Sequence, residues 1–506
     1  MYNLEKLHGP NTLAQRPLWD FYWKMAIKIA SIIFVTVLYI TSSVQNETTE
    51  VPSAMAATQE RDVLSRSINE FGYQLMMKMM KQNVNNNVVM SPTGVAGLLA
   101  MTLLGTAGTS YDELAKALGF SQDILSNRKN HEIFGNLLKE LNSDDENLPN
   151  SEATHTVSNE VTPSVSSTEV PTNDSIPSNI EFPSRTLYAD AIVVDDNTRI
   201  RKIYRDYLER VYDGDALTTQ FADTVKSQQL INDWVKTHTQ GKIEDFLKEP
   251  LPVATKVVLL SALYFSGQWA FPFIPELTRK MEFHTPNGGN VTADLMLNQG
   301  QFNYTFSKQH QAQMLAFPYH DRSTTMYVLK PLLRTRVSLT EILDSLDYSK
   351  IEAIMDSMTE QRCIIRFPKM ELKTRANLKD ALKELGVKSV FSPSEANFAL
   401  MVDNNTVIEK KKEVELVSRI YTGDEELDVI KEAINKLPNP GVHVDTVLHE
   451  VKMTVNEYGT MAVAVTSGTL ARTAQMFYAD SPFYMFIRNE KTKLVTFSAI
   501  IFDPTQ

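Results

Sequence analysis

The segment from Gly459 to Ala479 carries the pattern with the clearest chemical meaning in the chain. Alternate residues from Thr460 to Thr466 are small, the residues between them are apolar, and proline is absent. A strand with one crowded face needs such a pattern, because side chains alternate between two faces with a period of two. Farther on, the single arginine Arg472 stands among small and apolar residues. On residues alone, the pattern also fits an ordinary edge strand and loop.

Motifs that would indicate an enzyme are absent from the sequence. The chain has no G-x-S-x-G nucleophile elbow, no H-E-x-x-H zinc motif and no G-x-x-x-x-G-K-[ST] phosphate loop. His449-Glu450 begins like a zinc motif but lacks the second histidine. The sequence therefore predicts that the protein is not an enzyme and has neither a cofactor nor a metal site.

Composition indicates a large folded protein with a mildly acidic surface. The 506 residues are 43% hydrophobic, which is ample for a large core, and the net charge of −11 argues against nucleic acid as the main partner. The only cysteine is Cys363, so no internal disulfide is possible, and we expect a buried thiol on a strand over Cys363–Phe367. Short basic groups such as Arg128-Lys129 provide no clear heparin site. We expect a monomer.

Residues 1–43 have the pattern of a secretory signal peptide. Ile29–Ile40 is almost wholly apolar, with Lys24 and Lys28 before it and small residues after it. The alternative is an uncleaved signal-anchor that tethers the chain to a membrane, although the apolar run is short for a span. Candidate glycosylation sequons lie at Asn46, Asn173, Asn290, Asn303 and Asn404. We therefore expect a secreted, extracellular glycoprotein.

The rest of the chain is predicted to form one α+β domain with two insertions. Residues 44–60 are polar and predict a disordered linker, and the folded domain follows over 61–506. Within it, 142–184 is rich in Ser, Thr, Asn and Pro and predicts a mobile insert. A second insert over 403–440 combines a charged stretch with an amphipathic helix over Leu427–Leu437. Strands and helices mix without regular βαβ alternation, which favours the α+β class.

Several elements that position the candidate loop can be predicted individually. Val257–Phe265 is a continuous apolar run, which indicates a strand buried on both faces. Thr109 is a candidate cap for a helix that ends at Gly119. A second helix over Leu378–Leu385 is predicted to end at Gly386.

Six segments, in order, resemble the serpin family. They are Asn87–Pro92 with Leu104–Gly108, Ile231–Val235 with Thr239–Ile243, Ala262–Trp269 followed by Phe273, Thr278 and Phe283, Phe317–Tyr319, Phe367–Lys369 with Leu385-Gly386, and His449 with Val455–Thr460 and Ala479–Phe483. Each segment is weakly specific by itself, but six with compatible gaps span nearly all of residues 61–506. The two inserts fall where loops are expected.

The resemblance implies a fold with three β-sheets, eight or nine helices and an exposed reactive loop over 459–479. In the family, a serine protease cleaves this loop while forming an acyl-enzyme. The cut loop then inserts as a new central strand in the large sheet, and the protease is distorted before it can deacylate. The resemblance thus implies a metastable suicide inhibitor of an extracellular serine protease.

The resemblance also assigns a hinge and a scissile bond. The hinge residues are Glu457, Gly459, Thr460, Ala462, Ala464 and Thr466, while Tyr458 replaces the usual acidic residue. Arg472-Thr473 is the favoured bond and implies a trypsin-like target. The family's spacing points one residue later, to Thr473-Ala474, and Leu470 is a further candidate; these would imply an elastase-like or chymotrypsin-like target.

A polar cluster beneath the strands that open is the last implied site. Ser91 and His449 match the family, whereas Gly94 and Ser261 stand where serine and asparagine are expected, and Trp269 is expected at the top of the large sheet. These departures favour an alternative, a non-inhibitory serpin that acts as an extracellular carrier, chaperone or signalling protein. A third hypothesis is a secreted or membrane-tethered adhesion protein whose working part is the insert over 142–184.

Overall fold

The computed structural model describes residues 55–124, 126–142, 185–333, 336–403, 434, 437, 439–458 and 474–506. The chain divides into two units, 1–61 and 62–506, and the following sections concern the second. The predicted signal segment, the insert from residue 143 onward, the predicted helix over Leu427–Leu437 apart from residues 434 and 437, and loop residues 459–473 lie outside the described residues.

Nine α-helices occur within the described ranges. They are α1 (55–82), α2 (Pro92–Leu104), α3 (Gly108–Leu118), α4 (Asn127–Asn142), α5 (Lys202–Tyr212), α6 (Thr224–His238), α7 (Leu339–Ser345), α8 (Tyr348–Asp356) and α9 (Lys379–Glu384). Helix α1 begins earlier than the predicted boundary at Arg61, because residues 55–60 include alanine, glutamine and glutamate, which favour helix. The predicted linker over 44–60 is therefore wrong for its last six residues, which are helical.

Helix ends confirm one sequence-based boundary and correct another. Gly119 ends α3 in the left-handed conformation at φ 70°, as predicted, because glycine has no Cβ to oppose that geometry. Thr109 does not cap α3: the cap position is Ala107, and Thr109 lies inside the first turn. The Ala107 amide instead donates to the carbonyl of Asn397, so a distant segment satisfies the helix end.

Fourteen strands lie in the described part of the chain. They are β1 (Val88–Met90), β2 (Arg185–Asp195), β3 (Asp215–Thr219), β4 (Val257–Ser266), β5 (Ile274–His284), β6 (Asn290–Ser307), β7 (Ala312–Pro318), β8 (Thr324–Pro331), β9 (Thr359–Pro368), β10 (Met370–Asn377), β11 (Val444–Val455), β12 (Gln475–Tyr478), β13 (Phe483–Asn489) and β14 (Val495–Ile501). Five form one sheet in the order β10-β11-β4-β2-β3, and the other nine form a second hydrogen-bonded network.

The long strand β6 explains how three expected sheets become two hydrogen-bonded networks. Its residues from Leu295 to Tyr304 pair with β9, while Tyr304–Ser307 pair with β7. The same strand therefore crosses from the group β5-β6-β9-β12 into the group β1-β14-β13-β8-β7. The α+β class predicted from the sequence is confirmed, because helices and mixed sheets occur without regular βαβ alternation.

The centre of the five-stranded sheet contains a parallel pair, β4 and β11. Their register runs from Val444 opposite Val257 to Met453 opposite Phe265. The flanking strands β2 and β10 pair antiparallel to β4 and β11 respectively. The first nine residues of β4 are buried except Tyr264, as the apolar run predicted. We call the junction between β4 and β11 the seam.

Apolar side chains cover the seam from both faces. One core cluster joins this sheet to the nine-stranded network, for example Leu263 and Val451 with Phe497. On the opposite face, Ile231 and Val235 of α6 pack with residues of β2 and β4. Because burial of one such side chain stabilises the fold by about 1.5–3 kcal/mol, both layers hold the sheet closed.

Candidate functional site

The candidate site begins where β11 ends. The chain passes from Val455 through Glu457 and Tyr458, and it resumes at Ala474 before β12. Strand β12 pairs in parallel with β9 in the nine-stranded network. The loop therefore connects the two sheets. Residues 475–478, which the sequence assigns to the exposed loop, form a strand instead, because β9 offers a free edge to a segment rich in strand-forming residues.

Glu457, which the sequence predicts to be a hinge residue, is held by two side chains. Thr278 Oγ1 donates to its carboxylate at 2.9 Å, and Lys369 Nζ lies 3.0 Å from the other oxygen. Burial by itself would raise the pKa of Glu457, but hydrogen bonds from its own backbone amide, Lys369 and Thr278 lower the pKa overall. The ionised carboxylate thus fixes the start of the loop to β5 through Thr278 and to the β9–β10 connection through Lys369.

Trp269 packs against the same hinge. Its indole Nε1 donates to the Asn456 carbonyl at 3.0 Å, and its backbone amide donates to the Tyr458 carbonyl at 3.2 Å. The ring is 3% exposed and stacks on Tyr319 with 4.6 Å between ring centroids. The predicted position at the end of the large sheet therefore brings Trp269 into contact with the first loop residues.

Farther down the seam, polar residues form a row across three strands. Asp190 of β2 lies opposite Ser261 of β4, and Ser261 lies opposite His449 of β11. We call these three residues the polar row. It separates apolar residues above and below it on the same strands, such as Leu263 and Leu259 of β4.

His449 bridges the seam as a neutral imidazole. The Ser91 amide donates to Nε2 at 2.9 Å, so Nδ1 carries the proton and donates to the Ser261 carbonyl at 3.2 Å. The ring is 1% exposed, and burial lowers the pKa of His449 to about 4. A neutral histidine therefore joins β11, β4 and the start of α2.

Ser91 supports this bridge from below, as the predicted cluster requires. Its hydroxyl accepts from the Gly94 amide at 3.0 Å, capping α2, and donates to the Thr496 carbonyl at 2.7 Å. A Cβ at Gly94 would lie 3.0 Å from Ser91 Oγ and 3.1 Å from Ser261 Oγ. The glycine thus allows close packing where the resemblance predicts serine. It provides no hydroxyl to Ser261, whose Oγ has no hydrogen-bond partner among the described residues.

Sequence analysis missed two members of this cluster, Asp190 and Tyr188. Asp190 Oδ1 and the Tyr188 hydroxyl are inaccessible to solvent and have no hydrogen-bond partner within the described ranges. The signal was available, because Asp190 is the only charged residue in the otherwise apolar run from Leu187 to Val194. A buried acid in such a run needs a reason.

Some of the other predicted residues lie within the described part of the chain, and the rest lie outside it. Cys363 is buried on β9, as expected, while Asn290 and Asn303 are exposed on β6. Ala474 is half-buried directly before β12. Outside the described residues lie Asn46, Asn173, Asn404, Gly459, Thr460, Ala462, Ala464, Thr466, Leu470, Arg472 and Thr473.

Neither a cluster of metal-ligating side chains nor a helix suited to span a membrane occurs among the described residues. No group of three or more histidine, cysteine, aspartate or glutamate side chains is placed there to hold a metal ion. None of the helices in the same part of the chain combines the length and apolar composition that a bilayer span requires.

Comparison with known proteins identifies the family. The family model for serpins, described as serine protease inhibitors, matches residues 66–504, and the chain belongs to this family. It is 27% identical to plasminogen activator inhibitor 1 of Sus scrofa over 89% of this chain and 94% of that protein. It is also 27% identical to serine protease inhibitor 28Dc of Drosophila melanogaster over 82% of this chain and 75% of that protein.

Solved structures share the fold. Native protease nexin-1 with heparin aligns with a TM-score of 0.66 at 22% identity, over 88% of this chain and all of that chain. Human thyroxine-binding globulin complexed with thyroxine aligns with a TM-score of 0.68 at 16% identity, over 88% of this chain and 99% of that chain. At these identities the likeness concerns the fold alone.

Proposed function

We propose that this serpin is a suicide inhibitor of an extracellular, trypsin-like serine protease, cleaved at Arg472-Thr473, whose cut loop inserts at the seam. The observation that carries the proposal is the parallel pairing of β4 and β11, with the loop continuous with β11. A segment that reverses direction after β11 runs antiparallel to β11. Because β4 is parallel to β11, the same segment is antiparallel to β4 as well, so one insert can pair on both sides in the stronger antiparallel mode.

The dimensions of the loop are adequate for such an insert. From Gly459 to Arg472 the extended chain reaches roughly 43 Å at about 3.3 Å per residue. Strand β4 has 10 residues, or roughly 33 Å at the same rise. A protease attached to Arg472 would therefore be carried the length of the sheet. The alternating small residues from Thr460 to Thr466 suit the face that enters the core.

The covalent step follows the chemistry of a serine protease. The protease serine Oγ attacks the Arg472 carbonyl carbon, and the bond to the Thr473 nitrogen breaks. The serine proton passes to the new Thr473 amine, and an ester joins Arg472 to the protease. Residues 475–478 stay paired with β9, so insertion separates the two new chain ends before water can hydrolyse the ester.

The position of β12 supports Arg472-Thr473 over Thr473-Ala474. Cleavage needs extended, accessible residues on both sides of the bond. After Arg472, both Thr473 and Ala474 precede the strand. For the later bond, the second residue beyond the cut is Gln475, which already pairs with β9. The arginine also gives the bond a defined recognition group, and the pattern of residues 1–43 supports an extracellular target.

Incubation of the purified protein with trypsin tests the proposal. On a denaturing gel we expect a boiling-resistant band near the summed mass, absent for Arg472→Ala. A matched control, Arg279→Ala, removes an exposed arginine of β5 and should leave the band unchanged. Cleavage within the loop without the band, and without a rise in thermal stability after cleavage, would refute inhibition by insertion.

A second candidate function is a non-inhibitory extracellular carrier or signalling protein. Two observations favour it: the Ser261 hydroxyl has no hydrogen-bond partner among the described residues, and Tyr458 stands at the predicted hinge. Both depart from what the resemblance implies for a serpin whose sheet opens. The same experiment separates the two functions: a carrier would be cut by trypsin without forming the stable band.

A further inference from the structure

The polar row contains a carboxyl group that the proposed mechanism does not use. Asp190 is half-buried as a residue, yet its Oδ1 atom is shielded from solvent and has no hydrogen-bond partner among the described residues. It lies one strand from the seam, opposite Ser261, whose backbone carbonyl accepts the hydrogen bond that closes the seam through His449. Any change at Asp190 therefore acts next to the junction that must separate.

Among the described residues, no cation lies close enough to Asp190 to stabilise an ionised carboxylate. On its own strand the facing titratable group is Tyr188; from β4 it faces the Ser261 hydroxyl. Across the seam β11 contributes the neutral His449. Helix α2 has no charged residue and approaches with Gly97, while α4 packs leucines against this region, including Leu137 and Leu138.

We propose that Asp190 sets how easily the seam opens, and that loss of its proton loosens the seam. A neutral carboxyl is tolerated in this uncharged environment, whereas a carboxylate without a cation or full hydration is not. Separation of β4 from β11 admits water to the neighbouring strand and relieves that penalty. The proposal concerns regulation of the loop insertion proposed above, and in that respect it rests on the proposed function.

The direction of the pH effect follows from the shift in acidity. Burial raises the pKa of Asp190 to about 7. The closed seam therefore binds the proton more tightly than an open one with an ordinary carboxyl. Between about pH 4 and pH 7 the closed state loses stability relative to the open state as the pH rises, by up to about tenfold per pH unit. Above about pH 7 the effect levels off.

His449 acts in the opposite direction. Its pKa is lowered to about 4 in the closed seam, so an open seam, with an ordinary imidazole, takes up a proton more readily. Opening therefore becomes easier as the pH falls below about 6.5. The two groups largely cancel over this range in the wild-type protein, so Asp190 must be isolated by comparing variants.

Hydrogen exchange of the β4 and β11 amides in the full-length protein measures seam opening directly. We would record it from pH 5 to pH 8, correct it for intrinsic exchange, and divide the wild-type opening constant by that of Asp190→Asn. This ratio removes the shared contribution of His449. We expect it to rise severalfold to tenfold per pH unit between pH 5 and pH 7 and then flatten. Asp206→Asn, at an exposed site on α5, should give a ratio independent of pH.

A second variant keeps the proposal testable if Asp190→Asn does not fold. In His449→Gln the opposing titration is absent, so opening should increase with pH between 5 and 7. A flat profile in this variant, or a flat ratio for Asp190→Asn, would overturn the proposal. Neither measurement requires a protease or a cleaved loop. Failure to trap trypsin therefore refutes the proposed function separately, and a flat exchange profile refutes only the role of Asp190.

Discussion

The buried ion pair between Arg375 and Glu450 offers a quantitative test of how the five-stranded sheet is held together. Glu450 of β11 is inaccessible to solvent, and Arg375 of β10 donates to its Oε2 from Nη2 at 2.6 Å and from Nε at 2.8 Å. Lys373 Nζ lies 3.4 Å from Oε1. We predict that Arg375→Met strongly destabilises the protein, because it leaves a buried carboxylate with one weaker partner.

The expected magnitude follows from this geometry. Removal of one partner of a buried pair costs about 3–5 kcal/mol. Lys373 remains within reach and Arg375 is itself 27% exposed, so we expect the lower end, about 3 kcal/mol. Unfolding entropy scales with chain length, and for a unit of roughly 450 residues 1 kcal/mol corresponds to about 1 °C. Arg375→Met should therefore lower the Tm by about 3 °C.

The assay is thermal unfolding at one fixed scan rate, because large proteins often unfold irreversibly and the Tm then depends on the scan rate. The set comprises Arg375→Met, Glu450→Met and the double variant, whose apolar side chains of similar volume should recover most of the loss. Arg66→Met breaks an exposed pair with Glu352 at 2.7 Å and should change the Tm by less than about 1 °C. A loss below 1 °C for Arg375→Met, or a double variant as unstable as the two single losses combined, would refute the reasoning.

Three further predictions concern the hinge and the seam. Glu457→Gln should lower the stability by about 1 kcal/mol near neutral pH, since half of Lys369 is exposed to solvent. Because the pKa of Glu457 is lowered in the fold, the stability difference between wild type and variant should be full above the ordinary pKa of glutamate and should disappear as the pH falls through the lowered pKa. Thermal scans across pH would detect this loss. Gly94→Ser should be more stable than Gly94→Ala by about 1 kcal/mol, because both add the same crowded Cβ but only serine gives Ser261 a partner; equal Tm values would contradict this. Trp269→Phe removes an indole bond to the hinge backbone and should lower the Tm by about 1 °C and raise hydrogen exchange at residues 456–458, whereas unchanged exchange would mean that the ring acts only as core.

Local patterns predicted the parts of this protein whose environment is encoded in neighbouring residues. The continuous apolar run of β4 indicated burial on both faces, and Gly119 indicated a left-handed helix end; both are observed. Thr109 was wrong as a cap because the Asn397 backbone, distant in sequence, satisfies the helix end. Residues 475–478 form a strand because β9 provides an edge. Such partners depend on tertiary structure and leave no local signal.

The residues of the candidate site also fall into two groups, those that could be predicted from the sequence and those that depend on how the strands pair. Ser91 and His449 could be placed because the resemblance locates them, and the structure brings them within hydrogen-bonding distance. The environment of Asp190 could not be predicted from the sequence, because it depends on Ser261, which lies opposite Asp190 only when β2 and β4 pair. An isolated acid in an apolar strand indicates an unusual environment for its carboxyl group, but the pairing register of β2 and β4 determines which residue the acid faces.

If the loop inserts as proposed, the parallel pairing of β4 and β11 also limits how often the five-stranded sheet can accept a strand. Once a strand lies between β4 and β11, it is antiparallel to both. The five-stranded sheet then has no parallel pair at its centre into which a second strand could insert. The remaining parallel pair, β2 and β3, lies at the margin of the sheet. Under the proposed function, the strand order of each molecule would record whether it has trapped a protease, and inhibitory capacity would be restored only by synthesis of new molecules.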